Sequence, residues 1–168
     1  MGDRVTVGDR VTEQLTGDVR IGPTQLARIV ARIASRPRRW DDAVRYDSVS
    51  RWYCRLEQND RYELWLLSWL PGQHTGFHDH GHSAGAFAVA LGCLTEQAAV
   101  GGRPLPATRT LAVGAVRSFG PGYVHDVRND GAVPALSVHA YSPPLSSMRR
   151  FGLGADGRLA LTAEERSW

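Results

Sequence analysis

The chain has 168 residues, 42% apolar and 22% charged, which is enough to enclose a sizeable core and too much apolar side chain for a disordered tail. The formal charge is +3 and all 20 basic residues are arginine; with no aromatic platforms or groove-reading motif, the basic excess does not indicate a nucleic-acid partner. No window approaches about eighteen apolar residues in a row, and the opening MGDRVTVGDRVTEQ is polar, so no membrane span or secretory leader is expected and the location expected is cytoplasmic.

In chain order, Thr24 is placed to cap a helix whose apolar residues Leu26, Ile29, Val30 and Ile33 recur at helical spacing, with Arg28, Arg32 and Arg36 on its wet side. Pro37 should end it, and residues 40–46 fit a second short helix. Between residues 20 and 55, nine arginines stand against Asp41, Asp42 and Asp47, a pattern expected of a solvated helix face. From residue 48 the periodicity changes to two. Runs at 48–57, 62–70, 86–96, 109–113, 116–119, 124–127 and 135–141 are rich in β-formers and separated by Gly, Pro, Asn and Asp. Such short, closely spaced strands predict a mainly β protein, an antiparallel barrel or jelly roll with helices packed outside. One domain is expected over 1–168: a helical part to about 47, a barrel over about 48–145, and an extension over 146–168 that is mixed in character. Trp168 is placed to cover part of the barrel mouth.

Cys54 and Cys93 are too few for a disulfide framework and should be thiols. In the first strand Arg51, Tyr53 and Arg55 share one face, while Trp52, Cys54 and Leu56 form an apolar opposite face. Trp52, Trp65 and Trp69 have strand spacing and are expected in the core.

Four of the six histidines fall within residues 74–82. In an extended strand His78 and His80 project to one side and Asp79 to the other, a chelating arrangement. The frame around them is longer. Gly72, five residues, His78-Asp79-His80, four residues, Gly85, six residues and Gly92 resemble the first cupin motif, with Gly85 where glutamate is usual. Gly114, five residues, Gly120-Pro121-Gly122, two residues, His125, three residues and Asn129 resemble the second, with Gly120 where proline is usual. This resemblance implies a cupin jelly-roll β-barrel with His78, His80 and His125 as metal ligands. Three neutral imidazoles leave the metal its full charge and open positions, which suits a catalytic ion and favours anionic ligands. Imidazole accepts zinc as readily as iron, so the donor set alone does not select the chemistry.

Within the cupins, residues 49–144 resemble the cysteine dioxygenase type I family. Tyr53-Cys54-Arg55 is similar to its Tyr-x-Arg element, His78-Asp79-His80 and His125 with Asn129 to its ligand segments, and Ser137-Val138-His139-Ala140-Tyr141-Ser142-Pro143-Pro144 to its Ser-x-His-x-Tyr triad followed by Ser-Pro-Pro. On one strand face, Ser137, His139 and Tyr141 can hydrogen-bond in series. The resemblance implies an Fe(II) enzyme that oxidises L-cysteine with O2 to L-cysteine sulfinic acid. It further implies a carboxylate held by Arg55 and Tyr53, a Tyr141 hydroxyl supported by His139 and Ser137, and a cis peptide between Ser142 and Pro143. Animal members carry, at the position of Gly85, a cysteine that becomes cross-linked to the tyrosine matching Tyr141; with glycine there, this chain resembles the uncross-linked bacterial members. His74 and His82 are expected in loops, away from the ligand positions. The expected partners are the two small substrates, with no nucleic acid, no membrane and a monomeric state. Two other readings remain open: a dioxygenase for another small thiol acid such as 3-mercaptopropionate, whose enzymes typically carry glutamine at the position matching Arg55, and a non-catalytic metal-binding cupin sensor.

Overall fold

The computed structural model describes residues 20–166. One helix, α1 (Pro23–Ala34), precedes eleven strands: β1 (Tyr53–Gln58), β2 (Glu63–Trp69), β3 (Phe77–Asp79), β4 (Ala84–Leu91), β5 (Cys93–Val100), β6 (Arg103–Ala112), β7 (Val116–Phe119), β8 (Val124–Arg128), β9 (Ala135–Ser142), β10 (Met148–Leu153) and β11 (Leu159–Glu165). They form two antiparallel sheets in the orders β1-β2-β9-β4-β7 and β11-β10-β3-β8-β5-β6.

Alternation on the five-stranded sheet builds two cores at once. Leu64, Leu66, Ala86, Ala88, Val138 and Ala140 point to one side, where Leu26, Val30 and Ile33 of α1 cover them. Alanines along β4 and β9 leave room for the helix to lie close. Trp65, Leu67, Trp69, Phe87, Val89 and Tyr141 point the other way, between the sheets, and meet Leu94, Leu111, Phe119 and Val127. Because both faces are covered, β2 and β9 are buried along their whole length, and their polar residues Ser137 and His139 must find partners inside.

Several expectations change in detail. Gly22, not Thr24, is the helix N-cap, with Pro23 in the first turn; proline fits there because that N–H has no helical partner. The helix ends at Ala34, ahead of Pro37, which opens a short 3-10 turn (Pro37–Arg39). The expected second helix is another such turn, Asp41–Ala43. The run at 86–96 is two strands in different sheets, parted at Gly92, whose φ of +71° lets the chain turn and where a Cβ would lie 2.6 Å from the Pro134 carbonyl. The first strand starts only at Tyr53. The C-terminal stretch is a hairpin: β10 pairs with β3, so β10 and β11 extend the sheet that carries His78. Trp168 lies outside the described residues.

Leu26 is fully buried under the five-stranded sheet, so Leu26→Ala should cost about 2–5 kcal/mol of stability. Chemical denaturation checks this, and a loss under about 1 kcal/mol would mean that α1 is not part of the core.

Candidate metal centre

His78 on β3, His80 one residue beyond it and His125 on β8 are buried, and His78 stands directly opposite His125 in the ladder. One ligand nitrogen from each lies within 4.8 Å of the other two. The partners of these rings fix which nitrogens remain for an ion. The His78 Nδ1–H donates to the Gly76 carbonyl at 2.9 Å. The His125 Nδ1–H donates to Glu96 Oε1 at 3.0 Å. Both rings therefore keep Nε2 free. Among the described residues His80 has no hydrogen-bond partner on either nitrogen although the ring is buried, a costly arrangement unless something fills it. Burial, and then the neighbouring imidazoles, hold His78 and His80 well below the usual histidine pKa, so they are neutral bases at physiological pH. An orphaned buried imidazole beside two with free Nε2 atoms fits a divalent transition metal.

Sequence spacing gives no hint of Glu96. Buried at the barrel wall, it accepts from His125 and, at 2.6 Å, from Arg117 Nε. Burial pushes its carboxyl up, but the bonds from His125 and Arg117 outweigh this and leave it below the usual range. A carboxylate behind a ligating imidazole orients the ring and raises its basicity. Asp79, which points away from the ligands, is fully buried and held by Arg149 of β10, which ties the C-terminal hairpin to the ligand strand.

Opposite the imidazoles, β9 carries a chain of hydrogen bonds. Trp69 Nε1 donates to Ser137 Oγ at 2.8 Å, Ser137 Oγ is 2.8 Å from His139 Nε2, and His139 Nδ1 is 3.2 Å from the Tyr141 hydroxyl. Its polarity follows from Ser137. That hydroxyl is fully buried and already accepts from Trp69, so its own proton has one acceptor within reach, His139 Nε2. His139, kept neutral by burial and then by the Arg51 charge, must carry its proton on Nδ1 and donate to Tyr141. The Tyr141 O–H is then free to point into the cavity that Tyr141 lines. Burial raises the Tyr141 pKa strongly, so it stays a phenol and a donor. The Ser142–Pro143 bond that follows is cis.

Residues of both sheets line a cavity of about 100 Å³, among them His78, His125, His139, Tyr141, Tyr53 and Arg51. Arg55 is not among them. Its side chain is 45% exposed, lies over the Trp65 ring at 5.3 Å and is 3.8 Å from Glu63 Oε2. Arg55 pairs across from Trp65, just before a bulge in β1, and is exposed, whereas the expected carboxylate clamp would need it inside the cavity. Arg51 takes the inner place. Its guanidinium sits 4.7 Å from the Trp69 ring and donates an Nη1 hydrogen to the His74 carbonyl at 3.2 Å, while Nε is buried without a partner among the described residues. Desolvation, and then the Arg150 charge, lower its pKa from the usual value. Trp65 also lines the cavity with an indole N–H that is buried and unpartnered. His74 and His82 are exposed, outside the ligand set.

At Gly85, a Cβ would come within 2.4 Å of the Phe119 ring and 3.1 Å of Tyr141 Cδ1. Phe119 fills the space beside Tyr141 that a side chain at 85 would need. The ring of His80 stacks between Phe119 and Tyr141, with centroids 5.1 and 4.7 Å away.

Two sheets closed around a three-histidine centre define a cupin. Among solved structures, a Thermus thermophilus protein is similar at 25% identity with a TM-score of 0.55, over 62% of this chain and 93% of that one. A Klebsiella pneumoniae protein with a double-stranded β-helix domain, at 20% identity and TM-score 0.55 over 73% and 93%, and a Desulfitobacterium hafniense cupin superfamily protein, at 12% and 0.50 over 60% and 84%, share the fold. The model of the cysteine dioxygenase type I family matches residues 10–153, and the chain belongs to that family. Its fold, family and three-histidine site are those of a metal-dependent, dioxygenase-type cupin.

Two outcomes follow. His125→Ala should purify with little metal after loading, whereas Leu26→Ala should keep it; metal analysis decides, and an undiminished content in His125→Ala would remove that residue from the ligand set. For the metal-free protein, folded-state pKa values of His78, His80 and His139 below the reference of about 6.5 mean that the unfolded chain binds protons the folded one refuses. Stability is then fully present above about pH 6.5 and falls as the pH drops, by up to about 1.4 kcal/mol per pH unit for each histidine. Thermal melts between pH 7.5 and 5, above the ordinary carboxylate range of about 4, should show a falling midpoint; a constant one would contradict neutral burial.

Proposed function

We propose that the protein is an iron(II) thiol dioxygenase that converts L-cysteine to L-cysteine sulfinic acid. The observation that carries this is a half-buried arginine, Arg51, in the wall of the same small cavity as His78 and His125 of the three-histidine group; its buried Nε has no partner and its guanidinium meets no carboxylate among the described residues. On this reading Arg51, not Arg55, receives the substrate carboxylate through charge-assisted hydrogen bonds, with the Trp65 N–H as a neighbouring donor. A ferrous ion held by His78, His80 and His125 would supply the electron transfer that lets O2 react with a thiolate. The reaction is R–S⁻ + O2 → R–SO2⁻: two S–O bonds form, sulfur is oxidised and O2 reduced, and the proton lost is that of the thiol.

The remaining steps belong to the chain's own side chains. Tyr141, with its proton directed inward by the Trp69–Ser137–His139 chain, donates a hydrogen bond to the oxygen that gains charge as it bonds to sulfur. Leu67, Val127, Leu145 and Met148 on the walls keep water from competing. The aromatic stack around His80 holds that ring where its partnerless nitrogens can serve. A second reading has support from the same walls. Because they offer few groups for an ammonium, a small thiol acid without an amine, such as 3-mercaptopropionate, would also satisfy Arg51.

Protein loaded with Fe(II) under nitrogen should consume one O2 per sulfinate formed from L-cysteine, followed by oxygen electrode and product analysis. Much faster uptake with 3-mercaptopropionate would select the second reading, and no uptake with any small thiol acid would reject both. Tyr141→Phe should keep its iron and lose about 10–100-fold in turnover, an effect of about 1.4–2.7 kcal/mol on the barrier; wild-type turnover would remove the hydroxyl from the reaction.

A further inference from the structure

Two guanidiniums reach the cavity, and their surroundings differ. Arg150 stands across from His78 in the β3–β10 ladder, so its side chain rises on the same sheet face as that ligand. Its Nε and Nη2 donate to the two carboxylate oxygens of Glu165 on β11, each at 3.1 Å, and its Nη1 donates to the Thr75 carbonyl at 3.0 Å. Glu165 itself lines the cavity. Arg150 is thus neutralised by a bidentate pair, while Arg51 has a carbonyl on one nitrogen and nothing on Nε. Together the three side chains present one net positive charge to a ligand, where the two arginines alone would present two.

We propose that Glu165 is a specificity-determining residue that restricts this cavity to thiols bearing one carboxylate and excludes those bearing two. The proposal rests on the thiol-acid reading of the site given above. A monocarboxylate finds its partner in Arg51. A second carboxylate on the same ligand would arrive beside the Arg150–Glu165 pair, where it must displace Glu165 or sit against a like charge, and either outcome weakens binding. The strand that carries Glu165 belongs to the C-terminal hairpin, held to the ligand strand by the Arg149–Asp79 contact. One wall of the cavity is therefore supplied by the hairpin, and with it the charge count.

The probes are 3-mercaptopropionate and mercaptosuccinate, which differ by one carboxylate, titrated calorimetrically under nitrogen into the full-length, iron-loaded protein. The wild type should favour the monocarboxylate by at least about tenfold. Glu165→Gln keeps the size and hydrogen bonding of the side chain and removes its charge; it should shift the ratio toward mercaptosuccinate by about tenfold or more, and adding Arg150→Gln should reverse that shift. Arg150→Gln alone, which leaves Glu165 uncompensated, should widen the preference for the monocarboxylate. A hairpin that had merely loosened would weaken both ligands alike and leave the ratio in place. A ratio within twofold of wild type in Glu165→Gln, or a shift that survives in the double variant, would overturn the proposal. Because binding is read without turnover, a shifted ratio with no O2 uptake would sink the dioxygenase reading alone, and uptake with an unshifted ratio would sink this inference alone.

Discussion

A buried arginine Nε–H without an acceptor is a standing cost of about 1–3 kcal/mol, and the surroundings of Arg51 leave its Nε in that state. The Trp69 ring lies beneath the charge and the His74 carbonyl takes one N–H, yet Nε is left with nothing. Beside His78 and His125, which line the same cavity, the His80 ring is buried with both nitrogens unsatisfied among the described residues. An imidazole nitrogen could accept from a guanidinium N–H, but the two do not meet among the described residues, and an anion on one side with a metal on the other would answer both. The two sheets fix that separation: Arg51 just ahead of β1, Trp65 on β2 and Tyr141 on β9 supply the donors, β3 with the residue beyond it and β8 supply the imidazoles, and α1 covers the back of the donor sheet.

The acids near the cavity are each engaged elsewhere. Glu63 accepts the Leu145 N–H and attracts Arg55 at the rim. Glu96 sits behind His125 and is held by Arg117. Asp79 is held by Arg149, and Glu165 by Arg150. Such pairing keeps carboxylates from collapsing onto Arg51 or onto an ion; Glu165 is the one acid in the cavity lining among the described residues, and it is tied to Arg150. One of these acids still influences the centre: Glu96 passes negative charge to it through the His125 ring without occupying a coordination position.

The barrel and the Ser137–His139–Tyr141 chain are legible in the sequence because each depends on local spacing, and the histidine trio because its two glycine-framed segments resemble the cupin motifs. Alternation puts residues two apart on one face whatever the tertiary surroundings, and the glycine-framed histidine segments extend over long, fixed intervals. Arg55 shows the limit of that argument. Alternation names the face shared by Arg51, Tyr53 and Arg55 but not the point at which the strand crosses the barrel rim, which is set by pairing with β2 and by the bulge after Arg55. Glu96 is silent in sequence because its partner lies 29 residues away on a strand reached only through sheet pairing. The C-terminal hairpin is equally hard to see, since its arginines and glutamates lack the apolar alternation of a buried strand; their role appears only once β10 is docked on β3.

The most direct test of the account concerns where the anion is received. L-cysteine titrated under nitrogen into the iron-loaded protein, its Arg51→Gln variant and its Arg55→Gln variant should bind Arg51→Gln at least about thirtyfold more weakly than wild type, about 2 kcal/mol, and Arg55→Gln within about threefold of it. Undiminished affinity in Arg51→Gln, or the larger loss in Arg55→Gln, would contradict the central claim that Arg51, with its unpartnered Nε in the cavity wall shared with His78 and His125, is the substrate's anchor.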